Sequence, residues 1–183
     1  MQASSGHLAA PAVGALLEDG ALAGDWVLDR ANSSIQLKSR SMWGLAAVNG
    51  VFRDVSGHGT VSPDGEVKGS VTVAAASIDT GNARRDQHLR SADFFDSASH
   101  PGITFTADGI QASAQGAAVT GALTVRGRTR PLSFAAASSV HGGEIWLDAE
   151  VRINRADFGL TWNQRGMASM HNTLTIHAVF TRP

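Results

Sequence analysis

The stretch Arg84-Arg85-Asp86-Gln87-His88-Leu89-Arg90-Ser91-Ala92-Asp93-Phe94-Phe95-Asp96 gathers guanidinium groups, carboxylates and an imidazole beside two adjacent phenylalanines. Such a set can serve catalysis or binding. His88, oriented by Asp86 or Asp93, has the make-up of a general base, with an arginine to stabilise an anion. Without turnover, Arg85 and His88 instead form a polar rim beside an apolar surface. Asn82 can cap a short helix here by accepting a backbone N–H bond. Helical spacing then places Arg85, His88, Leu89 and Ala92 on one side with Phe95 nearby, and sets Asp86 and Arg90 one turn apart as an ion pair. That pair is worth no more than about 0.5 kcal/mol on a solvated surface. A solvated helix capping a β domain accounts for the same residues.

Other catalytic signals are missing from the sequence. It has no Gly-x-Ser-x-Gly elbow, no His-Glu-x-x-His and no phosphate-binding loop. The seven histidines, His7, His58, His88, His100, His141, His171 and His177, are dispersed, and none shows the close pairing of a metal site. No residue of the local sequence supplies a nucleophile beside His88. Asn32-Ser33-Ser34 meets the glycosylation pattern only formally.

The elements that must position these residues are strands. Ser34 to Arg40 and Val67 to Val73 alternate apolar and polar residues, the period of a sheet with one buried face. The same alternation recurs at Ile103/Phe105, Val119/Leu123/Val125, Leu132/Phe134, Ile145/Leu147/Val151/Ile153 and Leu174/Ile176/Phe180. Turn residues separate them at Pro63-Asp64-Gly65, Ala107-Asp108-Gly109, Arg126-Gly127-Arg128 and His141-Gly142-Gly143. Seven to nine strands with one helix near residue 88 predict an all-β fold, a closed antiparallel barrel or a sandwich. A single meander that closes on itself abolishes its edges, which favours the barrel.

Small residues lie inside these strands, among them Gly69, Gly121, Ala74-Ala75-Ala76 and Ala135-Ala136-Ala137, and the chain has 20 glycines against 7 phenylalanines and 4 tryptophans. An eight-stranded barrel is just wide enough to be filled by side chains or to hold one small ligand. Small inward residues point to a cavity, with Ala75 on the face of Val71 and Val73. An alanine-rich composition with a filled core gives the same count.

With 183 residues the chain is long enough for one domain with a real core, and it contains no cysteine, which removes disulfides, thiolate metal sites and thiol nucleophiles. A net charge of -1 argues against nucleic acid as a partner. Residues 1–24 read as a flexible N-terminal extension, with 25–183 as the domain, although Leu16, Leu17 and Leu22 have the makings of a brief docked helix. The extension has no lysine or arginine and lacks the pattern of a secretory signal. That places the protein in the cytoplasm, or in the periplasm or outside the cell if the N-terminus has been trimmed. No run reaches the roughly 20 apolar residues of a membrane span.

From Trp26 onward the motifs carry a resemblance. Trp26-x-Leu28-Asp29-x-x-x-Ser33-x-Ile35, Arg85-Asp86-x-His88-Leu89-Arg90-Ser91-x-Asp93-Phe94-Phe95-Asp96, Pro101-x-Ile103-x-Phe105, Gly121-x-Leu123-Thr124-Val125-Arg126-Gly127-x-Thr129-Arg130-Pro131 and Arg155-x-Asp157-Phe158-Gly159-Leu160 occur in the order of the YceI-like family. That family comprises polyisoprenoid-binding, lipocalin-like barrels. The resemblance implies an extended eight-stranded antiparallel barrel with a short helix near its mouth. It also implies an apolar tunnel for an isoprenoid chain, such as a quinone tail or a polyprenyl lipid. The chain departs from the family at Asn32 and Ser41, where histidine is frequent, and at His100, where tyrosine is frequent.

The resulting expectation is a non-enzymatic binder that needs no cofactor and no metal, takes an apolar lipid ligand, and leaves a homodimer open. The expected walls are Ile35, Leu37, Val71, Val73, Leu89, Phe94, Ile103 and Phe105, continuing through Leu123, Val125, Phe134, Leu147, Val151, Phe158, Leu160 and Trp162. Arg85 and His88 are expected at the polar head. The rivals are an enzyme acting on a lipid-like substrate through His88, and a filled barrel that binds a partner on its outer surface.

Overall fold

A computed structural model describes residues 13–41, 44–113, 116–163, 166 and 168–183. Residues 1–12, the first half of the expected extension, lie outside it. The sequence alternation resolves into eleven strand segments: β1 (Gly24–Leu28), β2 (Ser34–Ser41), β3 (Ala46–Phe52), β4 (Val55–Val61), β5 (Val67–Ala74), β6 (Ile78–Asp79), β7 (Gly102–Ser113), β8 (Gly116–Val125), β9 (Arg128–His141), β10 (Glu144–Asn154) and β11 (His171–Thr181). Two α-helices accompany them, α1 (Val13–Glu18) and α2 (Ala83–Arg90).

The segments form an eight-stranded closed antiparallel barrel because the first six are three bent strands. β1 and β2 pair with β4 and β3 as one long hairpin, and β4 and β3 pair in turn with β5 and β6. The meander continues through β7, β8, β9 and β10 to β11. The ring closes where β11 meets β2 over Thr173–His177 and β1 at Phe180 and Thr181. At the bend between β1 and β2 the ladder is kept whole by a side chain. The Ser33 hydroxyl accepts from Val179 N at 3.0 Å, while Asp29 N donates to Val179 O at 2.8 Å. Asn32 ties the same bend down by donating to Asp29 at 2.7 Å, and this bond holds the Asp29 carboxyl below the usual carboxylate range.

Two local expectations are corrected. Ala107-Asp108-Gly109 is no turn but lies inside β7, where the register with β8 shifts between Ala107 and Gly109. The shift is a β-bulge, which uses the same Gly-containing chemistry as a turn. The run Ala74-Ala75-Ala76 is not all strand either: β5 ends at Ala74, and Ala75–Ser77 form a 3-10 turn whose first N–H donates to Pro101 O at 2.8 Å.

In place of a frayed extension, the chain from Val13 onward is packed. α1 buries Val13 and Leu17 together with Leu22, Trp26, Val61 and Ile145, at the barrel end where β1, β4 and β10 meet. Trp26 Nε1 donates to Leu22 O at 2.8 Å, and Arg182 lies over the Trp26 ring and donates to Ala23 O at 2.9 Å. This lashes the segment after α1 to the last strand. No described helix is long and apolar enough to cross a membrane. Truncating the plug in Leu17→Ala removes buried apolar area next to an existing space and is expected to cost about 2 kcal/mol, the low end for a buried leucine. The denaturant midpoint measures it, and an unchanged midpoint would show that α1 does not pack.

Candidate functional site

Inside the barrel the odd-numbered residues of β10 point inward in series from Ile145 to Ile153, opposite the even-numbered residues of β11 from Phe180 to Asn172. Leu37, Val71, Ile103, Phe105, Leu132, Leu147, Ile153, Ile176 and Phe180 pack against the core yet remain only partly buried, although they lie inside a closed barrel. Their residual accessible surface faces an internal cavity of about 220 Å³.

The cavity runs along the barrel. Val13, Leu17, Leu22 and Trp26 line it at the α1 end, and Phe52, Phe95, Phe158 and Leu160 line it toward α2. From Ile145 to Asn154 the β10 wall rises by about 3.3 Å per residue, or roughly 30 Å along the strand. Gly121 makes room for the Phe105 ring. It faces inward, and a Cβ there would stand 2.1 Å from Thr106 O and 2.7 Å from the Phe105 ring, which leans over it and packs on Phe134 at 5.4 Å between centroids.

Of the expected wall residues, Ile35, Leu37, Val71, Val73, Ile103, Phe105, Leu123, Val125, Phe134, Leu147, Val151, Phe158 and Leu160 border this cavity. Leu89 and Phe94 pack in the core behind it. Trp162, 40 % exposed, lies outside it against the His88 ring at 4.3 Å. Ala75 is fully buried in the core and does not face the lumen.

The charged motif is brought together, but away from the cavity. Asn82 caps α2 as expected, accepting from Arg85 N at 3.0 Å. Asp86 is buried and turns to Thr80, accepting from its N at 3.0 Å and its hydroxyl at 2.5 Å. Arg85 completes the knot by donating to Thr80 Oγ1 at 2.7 Å and Thr80 O at 2.9 Å, and Arg90 donates to Ile78 O at 2.8 Å. The expected Asp86–Arg90 ion pair is therefore replaced by separate bonds that fasten α2 to the end of β6. His88 packs between Trp162 and Phe94, and its Nε2 stands 3.6 Å from Asp93, beyond hydrogen-bond range. Neither Arg85 nor His88 borders the cavity: Arg85 is held by Thr80, and His88 lies between Trp162 and Phe94.

The polar side chains at this end of the lumen are instead Arg155 and Asn172. Arg155 is 1 % exposed. Its Nε donates to Ser169 O at 2.9 Å, its Nη1 to Leu160 O at 2.7 Å and Trp162 O at 2.9 Å, and its guanidinium lies 5.2 Å from the Phe94 ring centre. Burial pulls its pKa below the ordinary value. Both residues were legible by parity: Arg155 extends the inward series Ile145, Leu147, Ala149, Val151, Ile153, and Asn172 begins the series Leu174, Ile176, Ala178, Phe180.

Comparison with known proteins agrees with this architecture. The YceI-like domain matches residues 26–181. Protein YceI of Escherichia coli O157:H7 is 32% identical over 149 residues, 76% of this chain and 78% of that protein. A UPF0312 protein of Azotobacter vinelandii is 34% identical over 166 residues, 84% of this chain and 86% of that protein. Among solved structures, BcnA of Burkholderia cenocepacia superposes with a TM-score of 0.75 at 23% identity, covering 83% of this chain and 98% of its own. A polyisoprenoid binding domain from Saccharophagus degradans gives a TM-score of 0.70 at 17% identity, covering 86% and 98%. At these identities the two structures speak for the fold.

The cap geometry yields a stability prediction. Asp86→Ala leaves Thr80 N–H without its buried acceptor and is expected to cost about 1 to 3 kcal/mol, whereas Arg84→Ala, at an exposed position of the same helix, is expected to be near neutral. Thermal melts of the two variants would decide, and equal effects would refute the structural role given to Asp86.

Proposed function

The chain belongs to the YceI-like domain family, and from that premise we propose that it is a non-enzymatic binding protein that takes a polyisoprenoid, or a similar long-chain apolar lipid, into its lumen for storage or transport. The observation that carries this reading is the elongated cavity whose inward leucines, isoleucines, valines and phenylalanines remain partly accessible inside a closed barrel. An apolar space of this kind is costly to leave lined by water and favours an apolar guest. A linear chain suits its length better than a compact ring system. Each methylene transferred from water contributes roughly 0.8 kcal/mol, so a few prenyl units offset the ordering cost of binding. The name of the Saccharophagus degradans neighbour, a polyisoprenoid binding domain, supports the same ligand class. An isoprenoid quinone fits the proposal through its tail.

The thirteen expected wall residues that border the cavity are the proposed chain-binding surface. Catalysis through His88 finds no support in the geometry, since the imidazole lies outside the lumen and out of hydrogen-bond range of Asp93.

Organic extraction of the purified protein followed by mass spectrometry is expected to release a long-chain isoprenoid or a comparable lipid. The decisive variant fills the space. Ala149 lies midway along β10, opposite Ile176, and borders the cavity. Ala149→Phe is expected to abolish uptake of a prenyl chain while leaving the melting temperature of the empty protein within a few degrees. In a filled barrel the same change would overpack and cost roughly 1 to 3 kcal/mol, so a large fall in melting temperature would refute the lumen. Turnover of a bound lipid that disappears in His88→Ala would overturn the binding reading in favour of an enzyme.

A further inference from the structure

Among the described residues, four buried side-chain atoms have no hydrogen-bond partner: Ser138 Oγ, Arg155 Nη2, Asn172 Oδ1 and Thr175 Oγ1. Of these residues only Arg155 and Asn172 border the cavity, and they do so in the same corner. Asn172 stands opposite Ile153 in the ladder, and Arg155 follows two residues later with its N–H donating to Met170 O at 2.9 Å. They are diagonal neighbours on the inner face, a spacing that long side chains bridge. One offers an unused donor and the other an unused acceptor, in a region otherwise walled by Phe95, Phe158 and Leu160. Buried polar groups without partners are rare in folded proteins and call for an explanation.

The chemistry of the missing partner is constrained. Arginine grips carboxylates and phosphates with two of its nitrogens at once. In Arg155 both Nε and Nη1 are already committed to the carbonyls of Ser169, Leu160 and Trp162, so only Nη2 remains, and it suits a single oxygen. Asn172 Oδ1 then requires a donor. An ether or ketone oxygen accepts from Nη2 but has no hydrogen for Oδ1, and a carboxylate oxygen sets lone pair against lone pair. A hydroxyl satisfies both, accepting from Arg155 and donating to Asn172.

We infer that Arg155 Nη2 and Asn172 Oδ1 form a head-group site for the hydroxyl of an alcohol-ended apolar chain, which enters the lumen with its hydroxyl toward the α2 cap. This inference rests on the lipid-binding reading above and names the ligand's polar end. Arg155 and Asn172 then select among chains that the apolar walls do not distinguish.

The test compares geranylgeraniol, geranylgeranyl methyl ether and geranylgeranic acid, which share one chain and differ only at the end, by direct titration into the delipidated full chain. The wild type is expected to bind the alcohol at least tenfold more tightly than either analogue. In Asn172→Leu, which removes the acceptor at similar volume, the alcohol-to-ether ratio is expected to fall to within about threefold of one. Asn172→Ala serves as the second variant should the leucine melt early. If the wild type binds all three chains equally, or prefers the acid, the head-group site is overturned while chain uptake stands. A preference for the alcohol that survives both substitutions also overturns it. If none of the three binds, the lipid-binding reading falls and takes this inference with it.

Discussion

The whole molecule depends on how the outer edge of β11 is satisfied. A barrel has no edges only if its last strand finds a partner along its length, and here that partner is a strand with a bend in it. β2 serves Thr173–His177, β1 serves Phe180 and Thr181, and the Ser33 hydroxyl stands in for a backbone group at Val179 between them. The bend propagates to the next two strands, where β3 meets β6 and β4 meets β5. At the crossing, Ala74 N donates to Asp54 O at 2.9 Å and Arg53 N to Ser77 O at 3.2 Å, so the backbone ladder is carried through the bend. Closure by bent strands lets the β1–β2 pair accompany β11 from Thr173 to Thr181.

A long barrel has two open ends, and each is closed by different chemistry. At one end apolar residues of α1 sit on Trp26, Val61 and Ile145, an oily closure whose following segment is tied by the Trp26–Leu22 and Arg182–Ala23 hydrogen bonds. At the other, α2 is fixed by charge-assisted hydrogen bonds that Arg85 donates to Thr80, Arg90 donates to Ile78 and Asp86 accepts from Thr80, with Phe94 and Phe95 packed beneath. Hydrogen bonds to charged groups hold one geometry more strictly than apolar contact does. The α2 end is accordingly the defined one, and the polar corner of the lumen lies beneath it.

Most of the wall was legible in the sequence, because period-2 alternation assigns each residue of a strand to the inner or outer face without knowledge of its neighbours. Val71, Phe105, Leu123 and Leu147 fall inside the barrel on that ground alone. Position along the axis was not legible. Helical spacing puts Arg85, His88 and Leu89 on one side of α2 but does not say whether that side faces the lumen or the rim, and the side of Arg85 is taken by Thr80. The Asp-Gly pair at 108–109 supports a turn and a bulge equally, and pairing with β8 decided between them. α1 was obscured for a further reason. Its few leucines sit among small residues, and the surface that buries them comes from Val61 and Ile145, distant in the chain.

The closure by α1 bears on time as well as on shape. Under the lipid-binding reading, the wall beside a bound chain is not hydrogen-bonded throughout, since β9 and β10 pair over Glu144–Asp148 alone, and one end is covered by a six-residue helix. Opening there requires Val13, Leu17 and Leu22 to come away from Trp26 while Arg182 keeps the following segment tied at Ala23. Under that reading, the rate of this local opening contributes to the residence time of a chain in the lumen.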